Sequence, residues 1–177
     1  MASSLVALLT RAAERRLSCL VIGGNAVGLL GFPRMTIDID LLICDETRAA
    51  WKDVLQKLGL RLLDEVDAFI QFEPGDSGMA PVDLMIVDAA TWEKLWAAAR
   101  PVTVASLKAF TPRPEHLIAL KLHAASSPTR RKPEADWEDI REIMRRYHLT
   151  ASDPELRAMI LRYGGQNALD RIESLMK

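Results

Sequence analysis

The sequence predicts an α/β fold in two parts: alternating helices and strands over residues 1–112, then a helical part over residues 113–177. Three observations lead to this prediction. Short apolar runs that alternate with polar residues, or that end at glycine, predict strands in the first part. Amphipathic segments with helical spacing lie between these runs, and after Pro114 only helical spacing remains. The boundary near Pro114 is soft, so the two parts can also form one compact unit.

Local signals predict each element in turn. The apolar run over residues 19–22 ends at Gly23-Gly24, which predicts a buried strand that meets a tight turn. Residues 35–43 alternate apolar and polar side chains, which predicts a strand with one apolar and one polar face. The full series is helix 4–17, strand 19–22, helix 25–30, strand 35–43, helix 46–58, strands 61–63, 68–72 and 82–87, helix 89–99, extended segments 102–104 and 107–110, and helices 115–125, 134–147, 154–163 and 166–176.

Composition and charge narrow the functional classes. The 177 residues carry a formal net charge of −1, so we expect no general electrostatic attraction to nucleic acid or anionic lipid. The apolar run over residues 5–9 precedes the first basic residues, the reverse of a secretory signal, and no apolar run is long enough to span a bilayer. We therefore expect a cytoplasmic protein with no membrane partner, in which Cys19 and Cys44 are buried, reduced thiols.

Three aspartates occupy polar positions on predicted strands. Asp38 and Asp40 are two residues apart, so both side chains point to one face, roughly 6 to 7 Å apart along the backbone. Asp83 is the only acid within the apolar strand over residues 82–87, where aspartate is unfavourable by propensity. Close carboxylates repel each other, and a divalent cation with a preference for oxygen ligands reverses that repulsion. The pattern indicates a metal site formed by Asp38, Asp40 and Asp83, although a solvated strand face is the common alternative for the Asp-x-Asp pair.

The glycine turn predicts a phosphate site next to these acids. Glycines after a strand let backbone N–H groups approach an anion, and the helix that follows presents its positive end. Gly23, Gly24 and Asn25 form this turn, and Arg34 lies between it and the aspartate pair, where its guanidinium can bind a phosphate oxygen. A Gly-Gly pair alone is most often only a turn, so the prediction depends on the whole set of motifs.

The order of these motifs resembles the nucleotidyltransferase superfamily, which has the DNA-polymerase-β-like fold. GGNAVGLLGFPRMTIDIDLLI and VDLMIV match its pattern of a glycine pair, an acid-x-acid pair and one later acid. HLIALKLHA, Arg130-Arg131 and DWEDI extend the resemblance over residues 19 to 140 and make it closest to the branch of AbiEii-type toxins and minimal nucleotidyltransferases. The resemblance implies a core of mixed β-sheet flanked by helices over residues 1–112, followed by a C-terminal helical subdomain over residues 113–177.

The resemblance also implies a function. It implies transfer of a nucleoside monophosphate from an NTP to an acceptor, with two Mg²⁺ ions, or Mn²⁺ in their place, held by the three acids. The acceptor can be an RNA such as tRNA, a protein side chain or a small molecule such as an aminoglycoside, and the branch implies a cognate antitoxin as a protein partner. The implied catalytic and metal residues are Asp38, Asp40 and Asp83, and the implied nucleotide-binding residues are Gly23, Gly24, Asn25, Arg34, Thr36 and Lys121.

Two departures from the superfamily pattern leave an alternative open. Gly24 stands where many members have serine, and Asn25 stands where the AbiEii-type branch often has a hydroxyl residue. These departures favour a non-catalytic module that binds a nucleotide or a partner protein on the same fold. A sugar transferase with an Asp-x-Asp pair fits poorly, because such enzymes usually place a nucleotide-binding half before the pair.

The helical part holds polar residues with two interpretations each. Lys121 lies in an apolar helical stretch, where it is either a ligand to the nucleotide or a surface lysine whose aliphatic stem packs on the helix. Arg130-Arg131-Lys132 form either a solvated loop or a patch for an acceptor. Asp136 and Asp139 lie near a predicted helix start, which indicates a structural role. His116 and His123 share a helix face but have no third ligand nearby, so a zinc site is not expected.

Overall fold

A computed structural model describes residues 2–32, 34–75, 78–125 and 133–176. The chain forms two compact units, Met1–Pro112 and Arg113–Lys177. No helix in these described ranges is both long and apolar enough to cross a membrane.

A five-stranded mixed sheet forms the centre of the first unit. Its strands are β1 (Leu20–Val21), β2 (Ile39–Cys44), β3 (Leu60–Val66), β4 (Phe69–Pro74) and β5 (Val82–Val87). They lie in the order β1-β2-β5-β4-β3, in which β2 and β5 are parallel and every other neighbouring pair is antiparallel. The β3–β4 hairpin therefore lies beyond β5, and the chain returns from β4 to place β5 beside β2.

The helices that the structure describes in this unit are α1 (Ala2–Glu14), α2 (Gly23–Leu29), α3 (Arg48–Lys57) and α4 (Ala89–Ala97). A 3₁₀ turn, Asp45–Thr47, precedes α3. The carboxylate of Asp88 caps α4 by accepting a hydrogen bond from the backbone N–H of Thr91 at 2.7 Å, which satisfies a donor that the helix itself leaves unpaired.

One face of the sheet forms the hydrophobic core of the unit. Ile39, Leu41 and Ile43 of β2 are fully buried on it and pack in one cluster with Leu8 of α1 and Trp51 of α3. Burying each such side chain contributes about 1.5 to 3 kcal/mol. Because successive side chains of a strand point to opposite faces, Asp40 lies on the face opposite these three residues, as does Leu42, which is also buried.

A second, two-stranded sheet follows α4. It is a hairpin of β6 (Arg100–Val104) and β7 (Leu107–Thr111), the two segments that the sequence predicts only as extended. Trp96 of α4 packs against Phe110 of β7 with ring centroids 4.8 Å apart. Cys19 and Cys44 are both buried and unpaired, as expected, and burial raises the pKa of the Cys19 thiol to about 12.

Two predicted element starts next to the aspartates differ from the structure, one by four residues and one by two. The strand predicted over residues 35–43 begins only at Ile39, because β5 starts at Val82, opposite Ile39, and offers no backbone partner to the residues before it. Met35 and Ile37 are consequently 97% and 82% exposed, although their alternation with polar residues is typical of a strand. The helix predicted from residue 25 begins instead at Gly23, so the glycine pair is the first turn of α2.

The described part of the second unit is helical, with α5 (Pro114–Ala125), α6 (Pro133–Arg146) and α7 (Pro154–Leu175). The Asp153 carboxylate caps α7 by accepting a hydrogen bond from the backbone N–H of Leu156 at 2.9 Å. Gly165 has φ 70° and ψ −172°, a non-helical conformation that interrupts α7 between the two helices predicted there. The segment 126–132, with Arg130, Arg131 and Lys132, lies outside the described residues.

Candidate active site

Three carboxylates meet at the start of two parallel strands. Asp40 of β2 pairs directly with Asp83 of β5 in the parallel register, so both side chains lie on the sheet face opposite the core. Asp38 lies just before β2. Three carboxylate oxygens, one from each residue, lie within 4.8 Å of one another. Each of the three residues is partly exposed to solvent.

Side chains from two neighbouring segments hold Asp38 in place. The Thr36 hydroxyl lies 2.7 Å from the Asp38 Oδ1 and 2.9 Å from its carbonyl oxygen. The Asn25 side-chain amide donates a hydrogen bond to the same carbonyl oxygen at 2.9 Å. Thr36 and Asn25 therefore act on the aspartate loop in this structure, and a direct contact of either residue with a nucleotide stays a prediction.

Gly23 allows the carboxylate of Asp40 to approach the turn before α2. Gly23 has φ +62°, a conformation that favours glycine. A Cβ atom at this position would lie 1.8 Å from the Asp40 Oδ2, far inside van der Waals contact. The absence of a side chain at Gly23 is therefore a condition for the position of Asp40.

Gly24 lies beside Thr36 and Arg34, two of the other residues predicted to bind the nucleotide. A Cβ atom there would lie 3.2 Å from the Thr36 Cβ and 3.6 Å from the Arg34 Nε. The Arg34 side chain thus lies beside the glycine turn, as a phosphate ligand would have to. The N–H groups in the first turn of a helix such as α2 are not used by its own hydrogen bonds.

The electrostatic environment of Asp83 differs from that of a surface carboxylate. Burial raises the pKa of the Asp83 carboxyl, the negative charge of Asp38 raises it further, and a hydrogen bond from the Gln71 amide opposes both effects. The Gln71 Nε2 donates this bond to the Asp83 Oδ1 at 3.4 Å. A bound divalent cation favours the ionised carboxylate, so the raised pKa describes the metal-free site.

Gln71 is the residue near the site that sequence reasoning missed. It occupies an ordinary polar position on a predicted strand, and its only signal is the alternation along residues 68–72. Its position beside Asp83 depends on β4 pairing with β5, with Gln71 directly opposite Asp83. No local pattern specifies that pairing.

Lys121 lies within the second unit, between two aspartates. Its Nζ lies 3.0 Å from the Asp136 Oδ1 and 2.7 Å from the Asp139 Oδ2, and the three side chains are 6%, 0% and 1% exposed. The interpretation of Lys121 as a surface lysine is therefore wrong. Asp136 and Asp139 are its partners inside the unit, which is a structural role of a different kind from the predicted helix-start effect. A contact of Lys121 with a nucleotide stays a prediction.

The donor set of the carboxylate cluster suits a hard divalent cation. Mg²⁺ and Mn²⁺ prefer oxygen ligands, and carboxylates are the protein groups that most often supply them. Asp38, Asp40 and Asp83 offer three such oxygens in one place. The residues present fit a bound Mg²⁺ or Mn²⁺; they do not fix the identity or the number of the ions.

Comparison with known proteins identifies the fold. No protein-family model matches the chain, and no curated protein matches it by sequence. Solved structures do match. The antibiotic-resistance factor ANT(2'')-Ia, in complex with adenylyl-2''-tobramycin, superposes with a TM-score of 0.70 and 23% identity over 92% of this chain and 98% of that chain. Its solution structure gives a TM-score of 0.72 and 19% identity over 98% and 96%.

A third solved structure, with lower sequence identity, is also that of a protein that acts on an antibiotic. The lincosamide antibiotic adenylyltransferase LnuA, bound to lincomycin, superposes with a TM-score of 0.59 and 11% identity over 80% of this chain and 96% of that chain. These likenesses establish that the chain has the nucleotidyltransferase fold, as the motif order predicts. None of the three structures is named as an AbiEii-type toxin, so the finer branch assignment is not established.

Proposed function

We propose that this protein transfers a nucleoside monophosphate from an NTP to a hydroxyl group of an acceptor, with release of pyrophosphate. The observation that carries the proposal is the meeting of Asp38, Asp40 and Asp83 beside the Gly23 turn, within a nucleotidyltransferase fold. A structural reason for three partly exposed carboxylates so close together is hard to find, because like charges at this distance repel.

The chain's own residues have distinct roles in this proposal. Gly23, Gly24 and Arg34 position the triphosphate, because the first turn of a helix leaves its backbone N–H groups without partners in the helix and the guanidinium lies next to that turn. Asn25 and Thr36 hold the loop that carries Asp38. Asp38, Asp40 and Asp83 would hold Mg²⁺, which would supply charge neutralisation for the phosphates and Lewis-acid activation of the acceptor hydroxyl.

Asp83 is the residue that takes the proton of the acceptor. The acceptor oxygen forms a bond to the α-phosphorus while the bond from phosphorus to pyrophosphate breaks, and the hydroxyl proton passes to the Asp83 carboxylate. Asp83 suits this role because its strand lies on the side of β2 away from the glycine turn.

A small molecule is the acceptor class that the comparisons favour. The ANT(2'')-Ia complex contains an adenylylated tobramycin and the LnuA structure contains lincomycin, and these two matches span nearly the whole of the matched chains. An RNA or protein acceptor, an AbiEii-type assignment and a cognate antitoxin remain alternatives that neither of these likenesses supports.

The test is transfer of label from each α-labelled NTP, with Mg²⁺ and then with Mn²⁺, to four acceptors: tobramycin, lincomycin, total RNA and total protein. We expect labelled product with wild type and at least about a hundredfold slower transfer with Asp83→Asn, since the proton acceptor and a metal ligand are both lost. Asp53→Asn is the matched control, because Asp53 is, like Asp83, a partly exposed aspartate, and its ion-pair partners Arg15 and Lys57 lie at the surface, away from the cluster. Equal rates for the two variants would refute the proposal.

A non-catalytic module is the second candidate, and Gly24 and Asn25 favour it. Gly24 provides no hydroxyl, and the Asn25 side-chain amide is engaged with the Asp38 carbonyl. Such a module would bind an NTP with Mg²⁺ in isothermal titration but transfer no label to any acceptor.

A further inference from the structure

A polar row crosses the sheet from the carboxylate cluster to its edge. Asp40 of β2 pairs with Asp83 of β5, Asp83 pairs with Gln71 of β4, and Gln71 pairs with Asp64 of β3. Directly paired residues on neighbouring strands point to the same face of a sheet. All four side chains therefore lie on the face opposite the hydrophobic core, and the row continues past the cluster over two further strands.

The glycine turn and this row lie on opposite sides of the carboxylates. Gly23 packs against Asp40, on the side of β1 and β2, while Gln71 and Asp64 lie beyond Asp83, on β4 and β3. In phosphoryl transfer the attacking and leaving oxygens stand roughly in line, on opposite sides of the phosphorus. If the triphosphate lies at the glycine turn, the acceptor must approach from the side of β4 and β3.

An apolar row lies next to the polar one on the same face. Met85 of β5 pairs with Phe69 of β4, and Phe69 pairs with Val66 of β3. Met85 and Phe69 are partly exposed, and Val66 is 54% exposed. The two rows together present hydrogen-bonding groups beside an aromatic ring and two aliphatic side chains.

The chemistry of this face selects among the acceptor classes. Neither row contains a lysine or arginine, and the polar row carries three carboxylates, which would repel the phosphates of an RNA backbone. A sugar-like ring has hydroxyl groups at its edge and an apolar face of C–H groups. Such a molecule matches a polar row beside an apolar row, because the ring can lie on Phe69 while its hydroxyls reach the row of Asp83 and Gln71.

We infer that the face of β4 and β3 beside Asp83 binds the acceptor, a neutral or cationic small molecule with a sugar-like ring, and that Gln71 positions its reacting hydroxyl. The inference rests on the proposed function and adds the acceptor class and its place. One N–H of the Gln71 amide fixes the Oδ1 of Asp83. The same amide has a second N–H and a carbonyl oxygen that can hold the acceptor next to the carboxylate.

Steady-state kinetics with separate substrates tests the role of Gln71 and Phe69. With Gln71→Leu or Phe69→Ala, we expect KM for the acceptor to rise about tenfold, the size of one ordinary hydrogen bond or ring contact, while KM for the NTP stays unchanged. Gln71→Asn, which keeps the amide, should recover part of the loss. Gln56→Leu is the matched control, because Gln56 is exposed on α3, and it should leave both constants unchanged.

A binding measurement without turnover tests the acceptor face separately. ¹⁵N-labelled protein in Mg²⁺-free buffer is titrated with tobramycin and, in a second sample, with lincomycin. At least one of them should shift the amide signals of residues 66, 69, 71 and 83, and Gln71→Leu combined with Phe69→Ala should abolish those shifts. Shifts confined to other residues, or no shifts with either compound, would overturn the inference.

The outcomes separate this inference from the proposed function. Transfer to RNA or protein only, or an acceptor KM that ignores Gln71→Leu, overturns the acceptor face and leaves the transfer reaction standing. Acceptor binding at this face with no transfer from any NTP supports the face and refutes the reaction. Melting curves of each variant confirm that a loss of binding is not a loss of folding.

Discussion

Substituting Gly23 by alanine tests whether the glycine turn and the metal cluster form one unit. Two costs add. A non-glycine residue in the left-handed region costs about 1 to 2 kcal/mol, and Gly23 has φ +62°. The new Cβ would also lie 1.8 Å from the Oδ2, 2.5 Å from the Cγ and 2.8 Å from the Cβ of Asp40. Rotation of the carboxylate alone does not relieve the contact with the Asp40 Cβ, so the backbone must shift.

Overpacking of this kind costs about 1 to 3 kcal/mol. We therefore expect Gly23→Ala to lower the free energy of unfolding by about 2 to 5 kcal/mol. Because the substitution moves Asp40, the variant should also lose the binding of Mg²⁺ with NTP, even at temperatures where it is fully folded.

Gly24→Ala is the matched control at the adjacent position. Its Cβ would meet the Thr36 Cβ at 3.2 Å and the Arg34 Nε at 3.6 Å, contacts that a shift of a few tenths of an ångström relieves. Gly24 lies within α2, where alanine is the better helix former by about 1 kcal/mol. Urea unfolding should show a change within about 1 kcal/mol of wild type for this variant.

Two assays decide the matter: urea unfolding for stability and isothermal titration with Mg²⁺ and ATP for the site. If Gly23→Ala unfolds like Gly24→Ala and binds Mg²⁺ with ATP as wild type does, then the close approach of Gly23 to Asp40 has no role and the reasoning fails.

Three further predictions concern single side chains. Asp40→Asn should leave the melting temperature of the metal-free protein equal or higher, because one of three like charges is removed. The stabilisation by Mg²⁺ and NTP, about 2.7 kcal/mol at a hundredfold excess over Kd, should vanish in this variant. A melting temperature that still rises on addition of Mg²⁺ and NTP would contradict the prediction. Lys121→Met removes the ammonium group that lies against the buried carboxylates of Asp136 and Asp139. Urea unfolding should therefore show a loss of about 3 to 5 kcal/mol, and a loss below about 1 kcal/mol would refute the ion-pair interpretation. Burial and a neighbouring guanidinium lower the pKa of His116, so the native state disfavours the protonated imidazole and the protein loses stability as pH drops through the ordinary histidine pKa. His116→Gln should therefore reduce the fall in melting temperature between about pH 7.5 and pH 5.5. An unchanged slope of melting temperature against pH would argue against this role of His116.

The local patterns of the sequence were enough to predict the fold class and most elements. The strand over residues 82–87 has the predicted bounds, and the helices of the second unit differ from prediction by one or two residues at most of their ends. Proline and glycine mark many of these boundaries. Proline has a fixed φ and no N–H donor, and glycine adopts positive φ without strain, so both act on the backbone whatever residues surround them. The order of glycine pair, acid pair and later acid predicted the nucleotidyltransferase fold, which the solved structures confirm.

The sequence did not predict which distant segments pair with each other. The parallel register that sets Asp40 beside Asp83, and the antiparallel one that sets Gln71 beside Asp83, depend on which strands become neighbours. The same holds for Lys121. Its position in an apolar helical stretch was compatible with a surface lysine or with a ligand to the nucleotide, whereas its partners in the structure, Asp136 and Asp139, lie on another helix. Periodicity specifies the face on which a side chain lies, since it depends only on backbone geometry. Which residue contacts that side chain depends on the packing of the whole unit. The sequence alone therefore identified the three aspartates as site residues, and only the tertiary structure decided which residues surround them.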